Sequence, residues 1–201
     1  MKKLSALIIS GVFIFSGLPA AGLELGATIP LADQKMPDVS GKSLSLSEIA
    51  GKEGLLVIFS CNTCPWVKLW EDRYLTLAAK YIPQGIGMVA INSNAAYRDK
   101  GDNLEDMQAN AGKMGYNFYY ALDLNSELAL AFGATKTPHV FLFDRTGKLV
   151  YRGAIDDNAR QPEKVEQHYL VDAIDAMLAG KPITANDTKA LGCTIKFVKK
   201  Q

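Results

Sequence analysis

The order of apolar runs in this chain predicts an α/β fold, a central mixed β-sheet with helices on both faces. Three observations carry that prediction. Two continuous apolar runs, Leu55–Phe59 and Met88–Ile91, have the length and composition of buried strands. Each is followed by a segment of helical periodicity. A hairpin pattern and one more amphipathic helix then follow.

The elements can be justified in chain order. After the Ser40-Gly41-Lys42 turn, Leu44 to Ile49 reads as a strand running into a short helix. Leu55–Phe59 is the first buried strand. Beyond Cys64, Val67, Trp70, Tyr74, Leu77 and Tyr81 recur on one helical face, while Lys68, Glu71, Asp72 and Lys80 fall elsewhere. Pro65 lies in the first turn, where a missing N–H costs little. Met88–Ile91 is the second strand. Asp102-Asn103-Leu104-Glu105 resembles a capping box, and Leu104, Met107, Ala111 and Met114 carry a helix face to Gly115.

Phe118–Leu122 is a further strand, and Asn125 is the expected cap of a short helix ending near Gly133. Val140–Phe143 and Leu149–Tyr151 flank the Asp144-Arg145-Thr146-Gly147 turn as a hairpin. A last helix is expected from about Glu163 to Leu178. Val165, Tyr169, Ala173, Ile174 and Met177 would face inward, and Gly180 and Pro182 would end it.

The N-terminus has the pattern of an export signal. Lys2 and Lys3 precede the apolar run Leu4 to Leu18, and Pro19-Ala20-Ala21-Gly22 supplies small residues suited to cleavage. The run is short for a membrane span and is broken by Gly11 and Gly17. The expected division is a signal peptide over 1–22 and a domain over 23–201, with a C-terminal extension from about residue 181. The protein is then periplasmic or secreted, with no stable membrane span after cleavage. About 180 residues remain, enough for one domain with a sizeable core. With 22 basic and 21 acidic side chains, no basic stripe points to nucleic acid. Three cysteines are too few for a disulfide scaffold.

The informative stretch is Phe59-Ser60-Cys61-Asn62-Thr63-Cys64-Pro65-Trp66. A strand is expected to end at Cys61 and a helix to begin there. A helix N-terminus stabilises an anion, so Cys61 is the expected thiolate and Cys64 the partner that closes a disulfide. Asn62 and Thr63 carry no charge, which favours a reducing or intermediate potential over a strongly oxidising one. Zinc needs four ligands, or three and water, and the chain has no second cysteine pair and only His139 and His168. No metal and no cofactor is expected.

Together, the Cys61/Cys64 pair, the β-α-β order, Thr137-Pro138 before a strand and the Gly147 hairpin resemble the thioredoxin superfamily. The run Gly133-Ala134-Thr135-Lys136-Thr137-Pro138-His139-Val140-Phe141-Leu142-Phe143-Asp144-Arg145-Thr146-Gly147-Lys148, with Tyr151 to Asp157 after it, resembles the exported redoxins of the thiol-specific-antioxidant and TlpA-like branch. The resemblance covers about residues 26 to 180 and implies a thioredoxin-like fold. It also implies a cis Pro138 beside the disulfide, with the Thr137 backbone pairing with an extended substrate. Trp66 either lines that groove or packs as an ordinary aromatic, and Trp70 is expected in the core. His139 is expected as a strand residue with a satisfied hydrogen bond, and Asp156 and Asp157 as a cap or solvated turn.

Two departures from the family pattern stand out. Thioredoxins carry a buried acid on the strand before the pair, where this chain has Val57 and Ile58, so the proton carrier is unassigned. The Pro and Thr or Ser that precede a peroxidatic cysteine are absent. The expected function is an exported thiol–disulfide oxidoreductase. Cys61 is its nucleophile, Cys64 the resolving thiol, and Thr137, Pro138 and Trp66 the substrate-binding residues. Its partners are disulfide-bearing or dithiol proteins and an electron donor. The alternatives are a thiol peroxidase and a copper-delivery protein with His139 as a ligand. Cys193 has two open readings, a small buried hydrophobe or an accessory thiol on a tail that folds back to the pair.

Overall fold

The computed structural model describes residues 22–198, so the expected signal segment lies outside the described residues except for Gly22. A small hairpin, β1 (Met36–Pro37) and β2 (Ser43–Leu44), leads into the short helix α1 (Leu46–Ile49). Ser45 caps α1 with a complete capping box to Glu48. Strand β3 (Gly54–Ser60), helix α2 (Pro65–Tyr81), strand β4 (Ile86–Asn92), helix α3 (Leu104–Met114) and strand β5 (Tyr119–Leu122) follow as two parallel crossover units. Helix α4 (Glu127–Phe132), strand β6 (Lys136–Thr137), the hairpin β7 (His139–Asp144) with β8 (Leu149–Gly153), helix α5 (Tyr169–Leu178) and strand β9 (Cys193–Thr194) complete the order.

The main sheet runs β5-β4-β3-β7-β8, with β3 parallel to β4 and antiparallel to β7. All seven residues of β3 are buried, which is why Leu55–Phe59 reads as an unbroken apolar run rather than an alternating one. Alternate residues serve two cores. Leu56 and Ile58 face Val67, Trp70 and Tyr74 of α2, Met107 of α3 and Ile174 of α5. Leu55, Val57 and Phe59 face Ile49 of α1 and Leu128 and Phe132 of α4. The α/β class and the helices on both faces are as expected. The site lies where β3 meets α2, with β6 crossing in front of it.

Several boundaries differ from the expectation. α2 starts at Pro65, not at Cys61. α3 is capped by Asn103, whose side chain accepts from the Asp106 N–H, which frees Asp102 for another task. The cap position of α4 is Ser126, not Asn125, and the Ser126 hydroxyl donates to the Ser93 carbonyl. α5 starts at Tyr169. The stretch from Glu163 is a 3-10 turn and an extended segment, with Val165 half-buried, and Leu170 takes the buried place. Beyond α5 the chain continues to residue 198, the last described residue. It runs beside β8, where Arg152 pairs with Asp187, and ends as β9 antiparallel to β6.

Candidate functional site

β3 delivers the site, because Cys61 follows directly on its last residue, Ser60. Cys61 and Cys64 are both free thiols and both buried, at 1% and 3% exposure. Asn62 and Thr63 form the loop between them. Cys64 is the N-cap of α2, with Pro65 as its first helical residue.

This helix start has an electrostatic consequence. The unpaired amides and the dipole of a 17-residue helix act on Cys64 rather than on Cys61. The Cys64 thiol is held below the usual thiol range, chiefly by its hydrogen bond with Cys61. Burial opposes the shift, while Cys193, Thr137 and the Val67 amide add to it. The Val67 N–H favours the anion without closing a full capping bond. The Cys61 thiol is pushed up, first by that same hydrogen bond, then by burial and by the negative charge of Asp102. The sequence expectation that Cys61 takes the helix terminus is therefore corrected. The short Cys61–Thr63 connection is loop, and the terminus falls three residues later in the motif.

Thr137 closes the site from the other side, and the Thr137–Pro138 bond is cis. The Thr137 hydroxyl lies 3.5 Å from the Cys61 sulfur. When protonated, Cys64 donates to the Thr137 carbonyl at 3.2 Å. Trp66 is half-buried against the core cluster that contains both cysteines, 6.1 Å from Trp70 and under the Arg160 guanidinium. Trp70 is core, as expected. Its indole N–H donates to Asp156, which also pairs with Arg73. Asp156 is therefore a buried, paired carboxylate rather than a solvated turn or cap. His139 also differs from expectation. Its Nδ1 is buried without a hydrogen-bond partner among the described residues, and its ring lies against Phe141, on the face of β7 turned away from the cysteines.

The residue that sequence reasoning missed is Asp102, which is fully buried. Its Oδ1 accepts from the Asn62 N–H at 2.8 Å and from Asn92 Nδ2 at 2.9 Å. Its Oδ2 accepts from the Thr63 hydroxyl at 2.7 Å and from Asn94 Nδ2 at 2.9 Å. Asn62 also donates to the Gly101 carbonyl and accepts from the Tyr120 hydroxyl. One carboxylate thus fixes the whole Cys61–Cys64 loop. The available signal was Asn92-Ser93-Asn94, three polar residues at the end of a buried apolar run. Cys193, expected either in the core or beside the pair, is half-buried and pairs in register with Thr137. Among the described residues, no three His, Cys, Asp or Glu side chains converge as a metal site.

Residues 24–168 match the family model described as Redoxin. A hypothetical protein of Sinorhizobium meliloti 1021 has a similar crystal structure, with 36% identity, 90% of this chain and 98% of that chain covered, and a TM-score of 0.81. An uncharacterized conserved protein of Geobacillus kaustophilus is 34% identical, with 92% and 100% covered and a TM-score of 0.82. A candidate thiol:disulfide interchange protein, DsbE, of Chlorobium tepidum shares 22% identity over 78% of this chain and 99% of that one. Its TM-score of 0.62 marks the shared thioredoxin-like fold. No curated protein matches the chain.

Proposed function

The chain belongs to the Redoxin family, and on that premise we propose that it is an exported thiol–disulfide oxidoreductase acting on protein or peptide disulfides. The observation that carries this reading is the pair of free thiols at the N-terminus of α2, both within reach of Thr137 beside the cis Pro138. A disulfide-bearing segment extends along the Thr137 edge, with Pro138 and Trp66 flanking it. The Cys64 thiolate attacks one substrate sulfur. A Cys64–substrate bond forms, and the other substrate sulfur leaves as a thiolate and takes a proton from solvent. Cys61 then gives up its proton and attacks Cys64. The second substrate thiol is released, and the Cys61–Cys64 disulfide holds the two oxidising equivalents until a dithiol donor restores the pair.

This order reverses the sequence expectation for the two cysteines, and the start of α2 at Pro65 supports the reversal. Trapping tests it. With Cys193 also replaced by serine, Cys61→Ser should accumulate mixed disulfides with a disulfide-bonded peptide, and Cys64→Ser should not. The opposite pattern restores Cys61 as nucleophile. If the wild-type protein does not accelerate reduction of that peptide by a dithiol, the whole reading fails.

Turnover of hydrogen peroxide with a thiol donor would favour the peroxidase alternative, for which the motif before either cysteine is lacking. The copper reading loses its histidine, since His139 faces the other core. Export is supported by the residue pattern of 2–22, and a mature N-terminus near residue 23 in a secreted or periplasmic fraction is its test.

A further inference from the structure

The edge on which a substrate would lie is already occupied. β9 runs antiparallel to β6, with Thr137 opposite Cys193 and Lys136 opposite Thr194. Gly192, just before it, rests on the edge so closely that an added Cβ would stand 2.1 Å from the Thr137 carbonyl oxygen. Ile195, just after it, is buried in the second core, and its N–H donates to the Thr135 carbonyl. The Lys196 N–H donates to Asn94 Oδ1, and the other end of that Asn94 amide holds Asp102. The tail is thus fastened on both sides of Cys193, and one fastening leads into the network that fixes the cysteine loop. Thr137, the register partner of Cys193, touches both active-site sulfurs. Cys193 packs against the core cluster that contains Cys61 and Cys64, and Cys64 and Cys193 each shift the other's thiol, Cys64 downward and Cys193 upward. Cys193 therefore lies on the edge whose Thr137 touches the other two sulfurs, in a strand geometry that presents it as a client cysteine would be presented.

We propose that Cys193 is a third exchanging thiol, carried by the tail as an internal substrate for Cys64. The step starts from the oxidised pair, which the dithiol–disulfide reading above supplies from a client disulfide. Cys193 loses its proton and its sulfur attacks Cys64. The Cys64–Cys193 bond forms as the Cys61–Cys64 bond breaks, and Cys61 leaves with the electron pair and takes up a proton. The count of disulfides is unchanged, so the step consumes no further oxidant. Cys61 is returned to the reduced state while Cys64 stays covered by the tail. An incoming client must displace β9 from the Thr137 edge.

The experiment uses the full mature chain, with oxidised glutathione as the only disulfide, followed by alkylation of free thiols and peptide mass mapping. In Cys61→Ser, Cys64 can pair with either Cys193 or glutathione. The expected result is about tenfold more Cys64–Cys193 disulfide than glutathione adduct. Adding Gly192→Ala, which pushes the tail off the edge, should reverse that ratio. A Cys64–glutathione adduct with Cys193 left alkylatable in Cys61→Ser overturns the proposal. Wild-type protein provides the second arm should the serine variant not fold. Oxidised wild type should contain a Cys64–Cys193 species with Cys61 alkylated, and a Cys61–Cys64 species alone also overturns the proposal. The mapping needs no client, so a failed peptide-reduction assay with a positive map rejects the client reading and leaves the three-thiol exchange standing.

Discussion

Asp102 and His139 are both buried ionisable side chains, and their surroundings are opposite. Four donors converge on the Asp102 carboxylate. Replacing one oxygen with an amide nitrogen turns acceptors into a donor facing other donors, so Asp102→Asn should destabilise the fold by roughly 2–4 kcal/mol in denaturant titration. The same change removes a negative charge that raises the Cys61 thiol, so the Cys61 titration should move to lower pH. An unchanged Cys61 titration would mean that Asp102 holds the loop without tuning the pair. His139 is held down to about 4, chiefly by burial and then by the positive charge of Arg152. Its folded-state value lies below its unfolded value, so the unfolded chain binds more protons between about pH 6.5 and 4. The stability from neutral His139 is complete above that window and is lost as pH falls through it. Wild type should lose about 1–3 kcal/mol more than His139→Phe between pH 7 and pH 4. Parallel loss in the two proteins would refute the assignment. The cysteine pair was legible because its spacing is local. Asp102 was not, because its partners come from the cysteine loop and the end of β4, which only the fold brings together.

At the scale of elements, the face of α2 could be read from the sequence and its first residue could not. Val67, Trp70, Tyr74, Leu77 and Tyr81 repeat at helical spacing and all five are buried. The start is set by side chains that hold Asn62 and Thr63 as loop, an effect with no periodicity. Similarly, the apolar Val165 extended the expected α5 upstream, where the chain instead passes through a 3-10 turn at Pro162–Lys164. Trp70 ties α2 to the segment after β8 through Asp156. Trp70→Phe retains most of the apolar burial and removes that donor, while Arg73 and the Asn158 N–H still serve Asp156. A loss of about 1–2 kcal/mol in denaturant unfolding is expected, and a neutral result would show that Arg73 and the Asn158 N–H suffice for the carboxylate.

At the scale of the molecule, the sheet separates two cores, and the unbroken apolar runs of β3 and β4 forecast that arrangement. The short pairing of β9 with β6 was not legible in the sequence, which offered a tail folding back to the pair as one of two readings for Cys193, because two residues of alternating polarity cannot specify a partner. The two walls of the site differ in how they are held. Cys61 hangs from β3, the central strand, buried along its whole length. Cys193 belongs to a two-residue strand with one half-buried and one exposed residue. In native-state hydrogen–deuterium exchange, β3 amides should exchange only through global unfolding, and the Ile195 amide at least about 100-fold faster through local opening. Equal protection at both places would show that the tail opens only when the sheet does. The expected difference means that the sulfurs can be uncovered by releasing one wall while the other keeps its place, so solvent and clients reach the pair at far less cost than unfolding.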